Sequence, residues 1–198
     1  MQSSQTSILC ATVPDAPTVP IKSAQSSSSI TFAWSQPANN GSNIFDYKVL
    51  WCISSNPACS FSTLAASTSG QSSLTIGSLT KGQYYQFKVQ AQNILGFSAS
   101  SPALLVVAAN PPSQPYSPTL DAANTGASQI SVNWQAPSDN GGSAVTSYTL
   151  YWKLSTAGDY VDSYTTANAA TLTHIITGLS SGLFYDIKVQ ATNVVGGS

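Results

Sequence analysis

The sequence predicts an all-β protein of two tandem β-sandwiches, the second lacking its own last strand, and three observations carry that expectation. Apolar and polar residues alternate in short runs along the whole chain, and no stretch shows a helical repeat. Asn, Asp, Gly and Pro interrupt those runs at intervals of roughly 8–12 residues, the spacing of sandwich strands. Finally, the 198 residues contain one pattern twice: Ile30-Thr31-Phe32-Ala33-Trp34 with Pro37 returns as Ile130-Ser131-Val132-Asn133-Trp134 with Pro137.

The elements follow in order. Pro14, Pro17 and Pro20 match Pro112, Pro115 and Pro118, and that offset lays Ile8 and Leu9 over Val106 and Val107, and Met1 over Ala99. Residues 1–13 are therefore read as a strand of donor type: Ser7, Ile8, Leu9, Cys10, Ala11, Thr12 and Val13, mostly apolar or small and ended by Pro14. The Pro-rich stretches 14–20 and 110–118 are expected to be extended linkers with little internal hydrogen bonding. The first repeat, residues 14–110, places Ile30, Phe32 and Trp34 on one strand face, then Tyr47, Val49 and Trp51. Leu74 with Ile76 follows, then Tyr85, Phe87, Val89 and Ala91, and last the apolar run 103–107. The second repeat, residues 111–198, gives Ile130, Val132 and Trp134, then Tyr148, Leu150 and Trp152. Leu172 and Ile176 come next, followed by Tyr185, Ile187, Val189 and Ala191. Polar residues on alternate positions give each sheet one wet and one buried side. Asn39-Asn40-Gly41 and Asp139-Asn140-Gly141-Gly142 are turns whose residues tolerate positive φ.

The second repeat stops at Ser198, the counterpart of Ser98, before any match to the run 103–107. Tyr185, Ile187, Val189 and Ala191 then form an acceptor edge with unpaired backbone groups, which attracts another strand. Two occupants fit the register. The N-terminal strand of a neighbouring copy would give a head-to-tail homopolymer, because such a contact is heterologous and does not close on itself. Alternatively the chain is an excerpt of a longer multi-module polypeptide, whose onward residues fill the slot.

Composition narrows the function classes. Six Lys, seven Asp and no Arg or Glu leave a net charge of −1, so there is no electrostatic footprint for nucleic acid or an anionic membrane. No apolar run reaches the ~18 residues of a membrane span. Residues 1–13 lack the basic start and apolar core of a secretion signal, so the sequence is read as a mature form or a piece of something longer. Cys52 and Cys59 flank an Asn-Pro turn signal and are expected to form a disulfide. Cys10 is left over, either a small buried residue like its counterpart Ala108 or an intermolecular link.

The spaced constellation resembles the fibronectin type III family, twice over. It comprises Trp34/Pro37, the aromatic strand from Tyr47 to Trp51, Leu79/Gly82/Tyr85 and Asn93/Gly96. The second set is Trp134/Pro137, Tyr148 to Trp152, Leu179/Gly182/Tyr185 and Asn193/Gly196. The resemblance implies inter-sheet wedges at Trp34 and Trp134 and tyrosine corners at Tyr85 and Tyr185. Lys81 and Ser181 stand where the family usually has Pro, and there is no Arg-Gly-Asp loop to imply integrin binding.

No catalytic or metal-binding constellation stands out, so neither an enzyme nor a cofactor is expected. His174 is the sole histidine, read as a strand residue, and Asp159 and Asp162 are read as a solvated loop. Asp139-Asn140-Gly141-Gly142 lacks the ligand series of a calcium loop. Asn40-Gly41-Ser42 makes Asn40 the candidate for N-linked sugar, and the Ser/Thr tracts 26–29 and 67–73 are candidates for O-linked sugar or flexible loops. Tyr84, Tyr116, Tyr160 and Tyr164 are candidate exposed aromatics for sugar or protein contact. The expected function is a structural subunit of an extracellular or cell-surface filament or array, its partner being another copy of itself. The alternative is a protein- or carbohydrate-binding section of a longer adhesion protein, receptor or spacer.

Overall fold

A computed structural model of the chain describes residues 5–7 and 9–198. The described residues are strands and turns, with a single 3-10 turn at Ala122–Asn124, and they divide into two units between Ala108 and Ala109.

In the first unit, β1 (Ile21–Gln25), β2 (Ile30–Ala33) and β5 (Ser73–Ile76) form one antiparallel sheet in the order β1-β2-β5. The facing sheet is built from β3 (Asp46–Cys52), β4 (Ser62–Ala65), β6 (Tyr84–Asn93), β7 (Gly96–Phe97) and β8 (Leu104–Val107). Its order is β4-β3-β6, with β7 and β8 both on the outer edge of β6. Period-two patterning explains the core: Ile30 and Phe32 from β2 meet Val49, Phe87 and Val89 from the other sheet, all at 0% exposure. Phe32 stacks on Phe87 at 4.6 Å, and Trp34 meets Tyr47 edge-on at 5.5 Å. Each such buried side chain contributes about 1.5–3 kcal/mol. Cys52 and Cys59 are joined by a disulfide across the turn that follows β3.

The second unit repeats this plan with β9 (Thr119–Leu120), β10 (Gln129–Asn133) and β13 (Thr173–Thr177) in one sheet, order β13-β10-β9. β11 (Ser147–Leu154), β12 (Asp162–Thr165) and β14 (Tyr185–Thr192) form the other, order β12-β11-β14. Its core holds Val132, Trp134, Tyr148, Leu150, Ile176 and Ala191.

Three local expectations are corrected. The stretch 14–20 is extended, as expected, but packed rather than a free linker: Pro14, Pro17 and Pro20 are all buried in the first unit, every third residue facing inward as in an extended polyproline strand. Asp162 opens β12, opposite Trp152, rather than lying in a loop. The Ser/Thr tracts are ordered turns. Ser26 Oγ accepts the Ser28 and Ser29 amides at 3.2 and 2.9 Å, and Asp46 Oδ1 accepts those of Thr68 and Gly70 at 3.0 and 3.2 Å.

Candidate functional site: an open sheet edge

The two units differ most at the strand each uses to close its second sheet. In the first unit the outer edge of β6 is covered along its length. β8 pairs with Tyr84 through Phe87, and β7 pairs with Gln92 and Asn93. Between them two serines substitute for strand residues. The Ser101 amide donates to the Val89 carbonyl at 2.9 Å, and the Val89 amide donates to Ser101 Oγ at 3.0 Å. Ser98 does the same for Ala91, at 2.8 and 2.9 Å.

In the second unit only the far end of that edge is covered. The Ser198 amide donates to the Ala191 carbonyl at 2.9 Å, and the Ala191 amide donates to Ser198 Oγ at 3.1 Å. From Tyr185 to Val189, β14 pairs with β11 alone, and among the described residues no strand lies on its other side. The open stretch is therefore shorter than the expected acceptor: Tyr185, Ile187 and Val189 belong to it, while Ala191 is already engaged. Side-chain burial records the difference. Tyr85, Phe87 and Val89 are 3%, 0% and 0% exposed, whereas Tyr185, Ile187 and Val189 are only half-buried.

A groove of about 830 Å³ runs along this edge, lined by Pro115, Tyr116, Tyr151, Tyr160, Ile187 and Val189 among others. Its polar side is fixed by contacts within the unit. Lys188 Nζ sits 4.1 Å from the centre of the Tyr160 ring, and Tyr151 donates to Gln190 Oε1 at 3.2 Å. Tyr160 is thereby half-buried, while Tyr84, Tyr116 and Tyr164 are exposed.

Each unit also carries a clamp where its lead-in segment arrives. Asn193 Nδ2 donates to the carbonyls of Asn110 and Asn140 at 2.8 and 2.9 Å, and its Oδ1 accepts the Val195 amide at 2.8 Å. Asn93 makes the same set, donating to Thr12 and Asn39 and accepting from Leu95. The turn must let the lead-in pass close: a Cβ on Gly141 would lie 2.1 Å from the Asn110 oxygen, and φ there is +78°. Neither clamp was read from the sequence, although Asn93 and Asn193 recur at matching positions.

The clamp decides where the N-terminal segment ends. The Thr12 amide donates to the Asn40 carbonyl at 3.1 Å, and Asn40 Nδ2 donates to the Val13 carbonyl at 3.0 Å. Thr12 and Val13 thus belong to the first unit, and of the expected donor strand only residues 7–11 lie outside these bonds. Leu9 and Cys10 are exposed, and Ile8 lies outside the described residues. Asn40 Nδ2 also donates to Asp15 Oδ1 at 3.0 Å, so both its hydrogens are engaged and an N-linked sugar would displace one of these bonds.

The tyrosine hydroxyls sit where each crossover enters the strand: Tyr85 accepts the Thr80 amide and Tyr185 the Ser180 amide, both at 2.9 Å. Among the described residues no group of three His, Cys or acidic side chains is placed to hold a metal ion, and no helix is long and apolar enough to cross a membrane.

The sequence model of the fibronectin type III domain matches residues 15–107 and again 111–198. The chain belongs to the fibronectin type III family. Relatives include human Myomesin-2, 26% identical over 191 residues that cover 93% of this chain and 12% of that protein. Endoglucanase B of Cellulomonas fimi is 29% identical, with 89% of this chain and 16% of that protein covered. M-protein of chicken striated muscle is 27% identical, with coverage of 93% and 13%. The fibronectin type III pair therefore spans less than a fifth of each of these relatives. Among solved structures, chicken CNTN1 FN1-FN3 domains superpose with a TM-score of 0.54 at 20% identity, covering 94% of this chain and 65% of that one. In the first module Leu104–Val107 covers the start of β6, and at the matching stretch of β14 the described residues leave a groove.

Proposed function

We propose that the chain is a structural subunit of an extracellular or cell-surface filament or array. Copies join head to tail, the segment from Thr6 to Ala11 of one copy lying beside Gly182–Ile187 of the next, at the start of β14, as the closing strand. The observation that carries this reading is the open edge from Tyr185 to Val189, whose counterpart in the first module is fully covered. The register is specific. Leu104–Val107 pairs with Tyr84–Phe87, so the sequence offset places Thr6, Ser7, Ile8 and Leu9 opposite Ile187, Asp186, Tyr185 and Phe184. Two or three apolar side chains entering the groove contribute about 1.5–3 kcal/mol each, and each added ladder bond about 0.5–1.5 kcal/mol. The Cys52–Cys59 disulfide supports an oxidising, extracellular setting.

A second reading is favoured by the relatives, in which a pair of this length is a small fraction of one polypeptide. There the strand over β14 comes from the same chain and the modules form a covalent array. Electron microscopy and intact mass test both. The noncovalent reading expects fibres that dissolve in denaturant to units of 20.5 kDa. It also expects that removing residues 1–11 leaves monomers. Fibres persisting without residues 1–11 would refute the donated strand, and a much larger denatured mass would favour the array.

A further inference from the structure

The donated strand does not account for all the apolar surface at the end of the second unit. Leu183 and Phe184, just before β14, are 52% and 84% exposed. Their counterparts in the first unit are Gln83 and Tyr84. Tyr84 remains 40% exposed with β8 alongside it, so a strand laid on β14 leaves Phe184 partly in water. At the opposite pole of the first unit, the turn after β6 presents Ile94 and Leu95, 75% and 45% exposed. Large apolar side chains paired in sequence and exposed in each unit call for a partner.

We propose that these two patches form an apolar joint between successive copies: Leu183 and Phe184 of one against Ile94 and Leu95 of the next. The inference rests on the donated strand proposed above, because the reach of the chain sets the contact. Ala108 is held in the first unit by the Gly82 amide at 2.8 Å and the Gln83 carbonyl at 2.9 Å. By offset Cys10 takes that seat against Gly182 and Leu183 of the neighbour. Thr12, two residues on, is fixed to its own unit by Asn40 and by Asn93. Two residues span at most about 7 Å. The neighbour's Leu183 is thus brought to the clamp, whose Asn93 caps the Leu95 amide at 2.9 Å. A Cβ on Gly96, in the same turn, would lie 3.5 Å from Val13 Cγ1, so this turn borders the incoming segment. The partner is a second copy of the chain, and the joint adds area outside the strand slot.

The test separates joint from slot. Full-length chain carrying Ile94→Ser and Leu95→Ser keeps its donor strand, its slot and, these side chains being exposed, its fold. Its critical concentration for assembly, read by sedimentation, should rise at least roughly ten-fold. Below that concentration, a fluorescent peptide of residues 5–12 carrying Cys10→Ala should bind wild type and variant equally. Adding Leu183→Ser to the double variant should change assembly little further, because the contact is already gone. A critical concentration within about two-fold of wild type, or full additivity of Leu183→Ser, overturns the joint. Wild-type chain that binds the peptide yet stays monomeric overturns both the joint and the head-to-tail assembly and leaves only the slot, whereas chain that also refuses the peptide removes the strand slot itself.

Discussion

At the residue scale, paired positions in the two modules act as internal controls. Tyr85 and Tyr185 accept the same kind of amide at the same 2.9 Å, but Tyr85 is buried and Tyr185 half-buried beside the open edge. Tyr85→Phe removes a partly buried hydrogen bond from a buried ring and is expected to cost about 1–3 kcal/mol. Tyr185→Phe should cost less, because its ring is only half-buried and its bond to the Ser180 amide is exposed to water. Denaturant midpoints of the two variants check this order. His174 supplies a pH signal confined to the second module. Its ring stacks on Tyr164, centroids 3.8 Å apart, and burial lowers its pKa from the ordinary 6.5. The folded module therefore keeps the imidazole neutral, while the unfolded chain takes the proton first. The contribution of His174 is complete above about pH 6.5 and is lost as pH falls through the lowered native value. Urea titrations between about pH 7 and 5, above the carboxylate range, should show the second module weakening with acid. His174→Gln should flatten that slope.

At the scale of elements, β6 and β14 are nearly the same strand in two environments. Both read Tyr-x-x-Lys-Val-Gln-Ala, both pair with the preceding aromatic strand, and both end at a buried Asn clamp. They differ in what lies on the outer side. Amide hydrogen exchange should therefore be slow at Tyr85, Phe87 and Val89 and fast at Tyr185, Ile187 and Val189 in monomeric chain, since exchange follows local opening and unpaired amides have no bond to break. A peptide of residues 5–12 should slow exchange at Tyr185 and Ile187 and leave Ala191, already held by Ser198, unchanged. Unchanged exchange at Ile187 would mean that the peptide lies elsewhere. The same comparison gives the lead-in segments a role that composition hid. Pro14, Pro17 and Pro20 pack on the first module as an extended strand, and the Asn93 clamp fixes where that strand begins.

At the scale of the whole molecule, a net charge of −1 with only 7% charged residues supplies little repulsion between copies, so exposed apolar poles and an open strand edge favour association. The all-β class, the two-module plan and the family resemblance were legible in the sequence because side-chain alternation and turn chemistry are local. So was the place of the open edge, since comparing the two repeats shows that the run 103–107 has no counterpart within these 198 residues. Other features depended on where distant residues meet. The tract 67–73 looked flexible until Asp46, some twenty residues earlier, was seen to hold the Thr68 and Gly70 amides. Asp162 is exposed, as expected, but it looked like a loop residue until the pairing of β12 with β11 placed it opposite Trp152. Of the expected donor strand, Thr12 and Val13 are held in the first module by Asn93 and Asn40, a contact between segments some 27 to 81 residues apart. Periodicity specifies which side of a strand is buried, and so the sequence by itself determined the strands and their faces. Hydrogen bonds between remote backbone groups have no sequence period, and only the folded chain decided which edges are satisfied and which remain open.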